Sequence, residues 1–160
     1  MNQYQVNVAG EAIAAAIMSQ AGYGVAIQYG TTQEDWDIIA KKESRTLMLS
    51  VKGSQDGGWG LFQSYIQKAD YQGALDAWFK CQPKDIVYFF VQFKNVAVGA
   101  APRCYIARPK EILAHMRTTR AGLAYTSLRE HHVYTRGAGY GHTDIIPEAW
   151  LVTQERIDAV

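Results

Sequence analysis

A continuous apolar run at residues 86–91 constrains the fold of this chain more than any other sequence feature. All six residues of the run are β-branched or aromatic. Such a run is typical of a strand that is covered on both faces, because a strand with one face in water alternates apolar and polar residues. The sequence therefore predicts a central sheet with helices on its faces.

The rest of the chain supplies elements that suit this layered arrangement. Strands are predicted where apolar residues alternate with polar ones or cluster in β-branched runs, at residues 24–29, 36–40, 46–52, 86–91 and 103–107. Helices are predicted at residues 9–20, 68–80, 109–117 and 147–157. Segment 53–60 holds four glycines among its eight residues, which predicts a flexible loop.

Length and composition favour one globular domain over residues 1–160. The chain has 160 residues, of which 48% are hydrophobic and 19% are charged. No apolar segment reaches the roughly 18 residues that a transmembrane helix requires. The first residues also lack the basic and apolar regions of a signal peptide. We therefore expect a cytoplasmic protein without a membrane partner.

Three charged residues stand out at the ends of predicted elements. Glu11 lies on the first helix, Asp37 begins the second strand and Lys52 ends the third strand. A carboxylate pair can hold a hard divalent cation, which can polarise a phosphate and lower the pKa of a bound water. A nearby lysine can orient that water or stabilise developing negative charge. These parts suit phosphodiester hydrolysis, although such charges are also ordinary on protein surfaces.

Short motifs place these residues in a recognisable order. They are Gly10-Glu11-Ala12, Gly22-Tyr23-Gly24-Val25, Asp37-Ile38-Ile39-Ala40 and Leu49-Ser50-Val51-Lys52-Gly53-Ser54, followed by Tyr88-Phe89-Phe90-Val91 and Tyr105-Ile106-Ala107-Arg108-Pro109. Over residues 8–115 the series resembles the PD-(D/E)XK nuclease superfamily, in particular the Holliday-junction resolvases. The resemblance implies a restriction-endonuclease-like α/β fold, with a three-layer core and a mixed central sheet of about five strands. Residues 116–160 would form a C-terminal extension.

The resemblance also implies a catalytic set of Glu11, Asp37, Ser50 and Lys52. Glu11 and Asp37 would bind Mg²⁺ or Mn²⁺, and Lys52 would be the catalytic lysine. The superfamily carries an acid where this chain has Ser50, and a neutral hydroxyl is a weak ligand for Mg²⁺.

Three consequences of this replacement stay open. Another acid, Asp35 or Asp56, can take the place of the missing one. Alternatively, Glu11 and Asp37 can suffice with additional waters, or the domain has lost catalysis. The expected function is a divalent-metal-dependent DNA endonuclease, acting in DNA repair, restriction or mobile-element defence and expected by analogy to form a homodimer. The alternative is a degenerate nuclease fold that binds nucleic acid or a protein partner without cleavage.

The net charge of +1 hides an uneven distribution. Residues 101–142 hold seven basic residues against two acids, a net charge of +5, and the remainder carries −4. Arginine suits phosphate oxygens because its planar fork can donate two parallel hydrogen bonds. Six arginines of this segment are therefore predicted to contact nucleic acid: Arg103, Arg108, Arg117, Arg120, Arg129 and Arg136.

Overall fold

The computed structural model describes residues 1–28 and 36–160. Within them the helices are α1 (Gln3–Gln20), α2 (Tyr71–Lys80), α3 (Pro109–Gly122) and α4 (Gln154–Ala159). The strands are β1 (Gly24–Ile27), β2 (Ile38–Lys42), β3 (Arg45–Ser54), β4 (Gly58–Gly60), β5 (Ile86–Gln92), β6 (Arg103–Ala107), β7 (Ser127–Arg129), β8 (His131–Val133) and β9 (Thr143–Ile145).

A mixed sheet of five strands forms the centre of the fold, in the order β1-β2-β3-β5-β6. Strands β3 and β5 run parallel, and the other neighbouring pairs are antiparallel. The parallel pair requires a crossover, which contains α2. The predicted α/β class, with a central mixed sheet of about five strands flanked by helices, is confirmed.

Strand β5 is buried along its whole length, as its apolar run predicts. On one face Val87 and Phe89 join a cluster with residues of α1 and α4. On the other face Ile86 and Phe90 join a cluster with residues of α2 and α3. Alternate side chains of one strand therefore supply both hydrophobic cores, which makes the three layers of the domain.

Helix α1 begins six residues earlier than the alanine-rich segment predicts. Asn2 caps its first turn by accepting a hydrogen bond from the backbone N–H of Gln5, whose side chain accepts one from the Asn2 N–H. The helix then packs closely on β3. A Cβ on Gly53 would lie 2.6 Å from the carbonyl oxygen of Val6, so only glycine permits this approach. The close contact brings the polar side of α1 beside the end of β3.

The prediction of a flexible loop over residues 53–60 is wrong. Strand β3 continues to Ser54, and β4 pairs antiparallel with β7. Trp59 in β4 is 2% exposed, and its ring lies 5.2 Å from that of Phe90. Glycine-rich segments are typical of loops, so the local sequence does not indicate β4. Its hydrogen-bonding partner, β7, lies far away in the sequence and is not part of any local pattern.

The predicted final helix at residues 147–157 is also wrong. A single 3₁₀ turn at Glu148–Trp150 is followed by an extended segment and the six-residue α4. Trp150 is buried and Leu151 forms an isolated bridge with Tyr105, so tertiary contacts hold this segment out of a continuous helix. None of the helices described here is long and apolar enough to cross a membrane.

Candidate active site

Asp37 is held rigidly at the point where β2 begins. Its backbone N–H donates to the carbonyl of Leu49 at 2.8 Å, and its own carbonyl accepts from the N–H of Gln28 at 2.9 Å. Its side-chain Oδ2 accepts a hydrogen bond from the backbone N–H of Val51 at 2.6 Å. The carboxylate is therefore fixed beside β3, with one oxygen bound to the backbone.

Ser50 and Lys52 lie on β3 and alternate with the buried Leu49 and Val51. Their partners on β5 are Tyr88 for Ser50 and Phe90 for Lys52, which places both on the α2 and α3 side of the sheet. Ser50 is 4% exposed, whereas Lys52 is half-buried. The serine that replaces the expected acid thus occupies a buried position next to Lys52.

Glu11 approaches the same place from α1. Burial raises the pKa of Glu11, and the negative charge of Asp37 raises it further, while the positive charge of Lys52 acts in the opposite direction. Such effects require the three groups to lie near one another. The structure therefore brings together the three charged residues that the sequence singled out.

These residues border two neighbouring cavities. Glu11, Asp37 and Lys52 line a polar cavity of about 480 Å³. A second cavity of about 720 Å³ is lined by Asp37, Ser50 and Lys52, together with Gln82. Asp37 and Lys52 line both of them. We call the first space the carboxylate cavity.

Three carboxylates line the carboxylate cavity, those of Glu11, Asp37 and Asp56. Among residues 1–28 and 36–160, no group of three or more His, Cys, Asp or Glu side chains forms a metal site. Asp56 Oδ1 accepts hydrogen bonds from Ser54 Oγ at 2.9 Å and from the Gly58 N–H at 3.1 Å, which hold Asp56 in the turn before β4. Asp35, the other replacement considered, lies outside the described residues. Mg²⁺ commonly binds through one or two carboxylates, waters and substrate phosphates, so Glu11 and Asp37 fit it.

Helix α1 presents two further polar side chains that the sequence analysis missed. Gln3 and Asn7 line the carboxylate cavity with Glu11, and Gln3 Nε2 donates to Asn7 Oδ1 at 2.9 Å. The three residues are spaced four apart, which places them on one face of a helix. The spacing is visible in the sequence. It indicates a shared helix face only if the helix begins at Gln3, whereas the sequence predicted a helix from residue 9.

Carboxylates neutralise two of the six predicted arginines. Arg103 Nε lies 2.6 Å from Glu130 Oε1, and Arg117 forms an ion pair with Asp76. Arg108 precedes α3, and its backbone N–H donates to a carboxylate oxygen of Glu111. Glu130 is already counted in the net charge of +5 for this segment, so of the two ion pairs only that with Asp76, which lies outside the segment, offsets that charge further.

The other three arginines come together. Arg120, Arg129 and Arg136 line a cavity of about 370 Å³, with Tyr125 and His132 among its other residues. We call this space the arginine cavity. It lies in the predicted C-terminal extension, and its members come from α3, from β7 and from the segment after β8.

No protein-family model matches the chain, and neither a curated protein nor a solved structure is significantly similar to it.

Proposed function

We propose that this chain is a divalent-metal-dependent endonuclease that hydrolyses phosphodiester bonds of DNA. One observation carries the proposal: Glu11, Asp37 and Lys52, which come from three different elements, line one polar cavity. The element order also supports it. A helix, three antiparallel strands, a crossover helix and a strand parallel to the third follow one another and build a three-layer core around a mixed sheet, as the PD-(D/E)XK resemblance implies.

Glu11 and Asp37 are the residues that would hold Mg²⁺ or Mn²⁺. A bound divalent cation supplies polarisation of a phosphate oxygen and a lower pKa for a coordinated water. The raised pKa of Glu11, caused by burial and by the charge of Asp37, marks two carboxylates that repel each other. Because a cation relieves this repulsion, the same electrostatics that disfavour the pair alone favour it with a metal.

Lys52 would act on the attacking water or on the phosphate group and would not bind the metal. Lys52 lines both cavities together with Asp37, and its ammonium group could hydrogen-bond an attacking water or stabilise negative charge that develops on a phosphate oxygen. Ser50 adds a neutral hydroxyl and no ligand charge. We therefore expect weaker metal binding than at a site with three carboxylates.

Cleavage assays test the proposal directly. Purified protein is incubated with supercoiled plasmid, a four-way junction and single-stranded DNA, with Mg²⁺, with Mn²⁺ or with EDTA. We expect cleavage that requires the metal and is lost in Asp37→Asn and Lys52→Ala. Lys41→Ala, which removes an exposed lysine of β2, is the matched control and should cleave normally. Absence of cleavage by the wild type on every substrate would contradict the proposal.

A second candidate is a nuclease fold that binds nucleic acid or a protein partner without cleaving. The buried neutral Ser50, at the position where an acid is expected, favours it. The assay distinguishes the two candidates: an inactive wild type together with a Ser50→Glu variant that cleaves would identify a lapsed site.

A further inference from the structure

We propose that the arginine cavity binds backbone phosphates of the same nucleic-acid strand whose cleavage site lies in the carboxylate cavity. The choice of a nucleic acid as ligand rests on the proposed function. The arginine cavity would be a second binding site, and it distinguishes three of the six predicted arginines from the others.

The guanidinium groups of this cavity differ from those of Arg103 and Arg117, because no carboxylate among residues 1–28 and 36–160 forms an ion pair with them. Within the described part of the chain, no hydrogen bond or ion pair holds the side chain of Arg136, which is exposed. The Nε of Arg129 is buried and has no hydrogen-bond partner. Arg129 as a whole lines the cavity. No ion pair within the described residues balances its positive charge, so an anion that enters the cavity is attracted to it.

Arg120 is held in place by neutral groups. Its Nε donates to the carbonyl of Ala138 at 3.0 Å, and its guanidinium carbon lies 5.3 Å from the ring centre of Tyr125 and 5.6 Å from that of Tyr71. These contacts orient the guanidinium without neutralising its charge. A preoriented cation loses less conformational entropy when it binds a phosphate than a free side chain does.

One acid lies behind the cavity, and its oxygens are already engaged. Asp144 accepts from Tyr134 Oη at 2.8 Å and from the backbone N–H of Arg120 at 2.9 Å, and it lies 3.2 Å from His142 Nε2. Burial and the bond to Asp144 raise the pKa of Tyr134, which lines the cavity, while Arg120 and Arg129 act in the opposite direction. The two guanidiniums therefore lie close to one phenol, and no ion pair joins either to Asp144.

A short ribbon connects the two cavities. Gly58 of β4 lines the carboxylate cavity and is the register partner of Arg129 in β7, which lines the arginine cavity. A Cβ on Gly58 would lie 2.8 Å from Nη1 of Arg129, so the glycine leaves room for the guanidinium. The proposed phosphate contacts and the proposed cleavage site therefore lie on the two paired strands of this ribbon. A nucleic-acid strand that crosses the ribbon would contact both cavities.

Fluorescence anisotropy in EDTA tests binding without cleavage. The probes are a fluorescein-labelled single-stranded oligonucleotide and a duplex of the same sequence, titrated at several salt concentrations. We expect Arg136→Ala and Arg129→Gln each to weaken binding by roughly 3- to 10-fold. Each should also lower the slope of log K against log salt by about one, the change expected when one phosphate contact is lost. Lys80→Ala, at an exposed lysine of α2, is the matched control and should bind like the wild type.

Each outcome decides the inference. Arginine variants that bind as tightly as the wild type, or a wild type that binds neither probe, would overturn it. Displacement of the probes by inorganic phosphate, well beyond the effect of chloride at equal ionic strength, would assign the cavity to a free anion and also overturn it. Arginine-dependent binding by a protein that never cleaves would remove the proposed function and leave the second site intact. Arg136 is exposed, so its variant is expected to fold.

Discussion

The backbone N–H of Val51 donates a hydrogen bond to Asp37 Oδ2 at 2.6 Å. This contact joins the residue before β2 to the middle of the segment that carries Ser50 and Lys52. It fixes the distance and orientation of the carboxylate relative to the lysine before any ligand binds. Hydrogen bonds to charged groups contribute more than neutral ones, so the contact also matters for stability.

Two substitutions of Asp37 should separate its structural role from its chemical role. Asp37→Asn keeps an oxygen that can accept from Val51, whereas Asp37→Ala leaves that N–H without its partner. We expect the alanine variant to lose about 1–3 kcal/mol in free energy of unfolding and the asparagine variant to lose less. We also expect Mg²⁺ to raise the Tm of the wild type and of neither variant. Urea and thermal unfolding with and without Mg²⁺ measure this, and equal stability of the two variants would contradict it.

Neutralising Glu11 should stabilise the metal-free protein. Because its pKa is raised, by burial first and by Asp37 second, ionising Glu11 costs more free energy in the folded chain than in the unfolded chain. Glu11→Gln should therefore raise the free energy of unfolding near pH 7, by on the order of 0.5 kcal/mol, since water screens a partly exposed group.

The pH dependence checks the cause of this stabilisation. The advantage of Glu11→Gln should shrink as the pH falls through the raised pKa of Glu11, where the wild-type carboxyl becomes protonated as well. Urea unfolding in EDTA across the acid range measures the difference. Glu148→Gln, at an exposed acid, is the control. An advantage that persists unchanged at acid pH would refute the electrostatic explanation.

Placing an acid at position 50 should lower the free energy of unfolding without metal and raise the affinity for Mg²⁺. Ser50 is 4% exposed, so Ser50→Asp places a charge in a buried position beside Asp37. We expect a loss of roughly 1–3 kcal/mol without metal, as for other poorly compensated buried polar groups. Mg²⁺ should restore more stability to this variant than to the wild type. Calorimetric titration and thermal unfolding measure both effects, and identical metal affinities would count against the site.

The Arg103–Glu130 pair should contribute to acid sensitivity. Burial by itself raises the pKa of Glu130, but hydrogen bonds from Arg103 and Tyr105 outweigh it and hold that pKa below its ordinary value. The resulting stabilisation is present above about pH 4.5 and is lost as the pH falls through the lowered pKa. Burial and then the hydrogen bond to Glu130 raise the pKa of Tyr105 to about 12, while Arg103 acts in the opposite direction.

Glu130→Gln tests this dependence. It should cost on the order of 1 kcal/mol near neutral pH, because the Arg103 side chain is partly exposed, and less in acid. Unfolding curves across the acid range should thus converge for the wild type and the variant. Glu43→Gln, in the exposed turn after β2, provides the control and should follow the wild type throughout. Parallel curves for Glu130→Gln would exclude the linkage.

The sequence predicted the central elements well because their signals are local. The run at residues 86–91 and the alternation at 46–52 follow from which faces of a strand are buried, and consecutive residues record this. The sequence also predicted that Glu11 lies on the first helix, Asp37 on the second strand and Lys52 on the third. Their convergence depends on β3 lying between β2 and β5 and on the close approach of α1 at Gly53.

The carboxylate partners of the arginines could not be predicted from the sequence. The composition of residues 101–142 gave no reason to distinguish the six arginines from one another. In the fold, Arg103 pairs with Glu130, 27 positions away, and Arg117 pairs with Asp76, 41 positions away. Which arginines keep an unpaired charge depends on long-range neighbours, and no local pattern encodes them.

The sequence by itself determined the layered α/β core and the order of three charged residues along its first helix and second and third strands, because backbone periodicity and side-chain type are properties of short segments. Only the tertiary structure decided that β4 pairs with β7, that Ser50 is buried next to Lys52, and that Arg129 reaches Gly58. These relationships depend on the path of the chain between distant segments. Burial and hydrogen bonding are settled only when those segments meet.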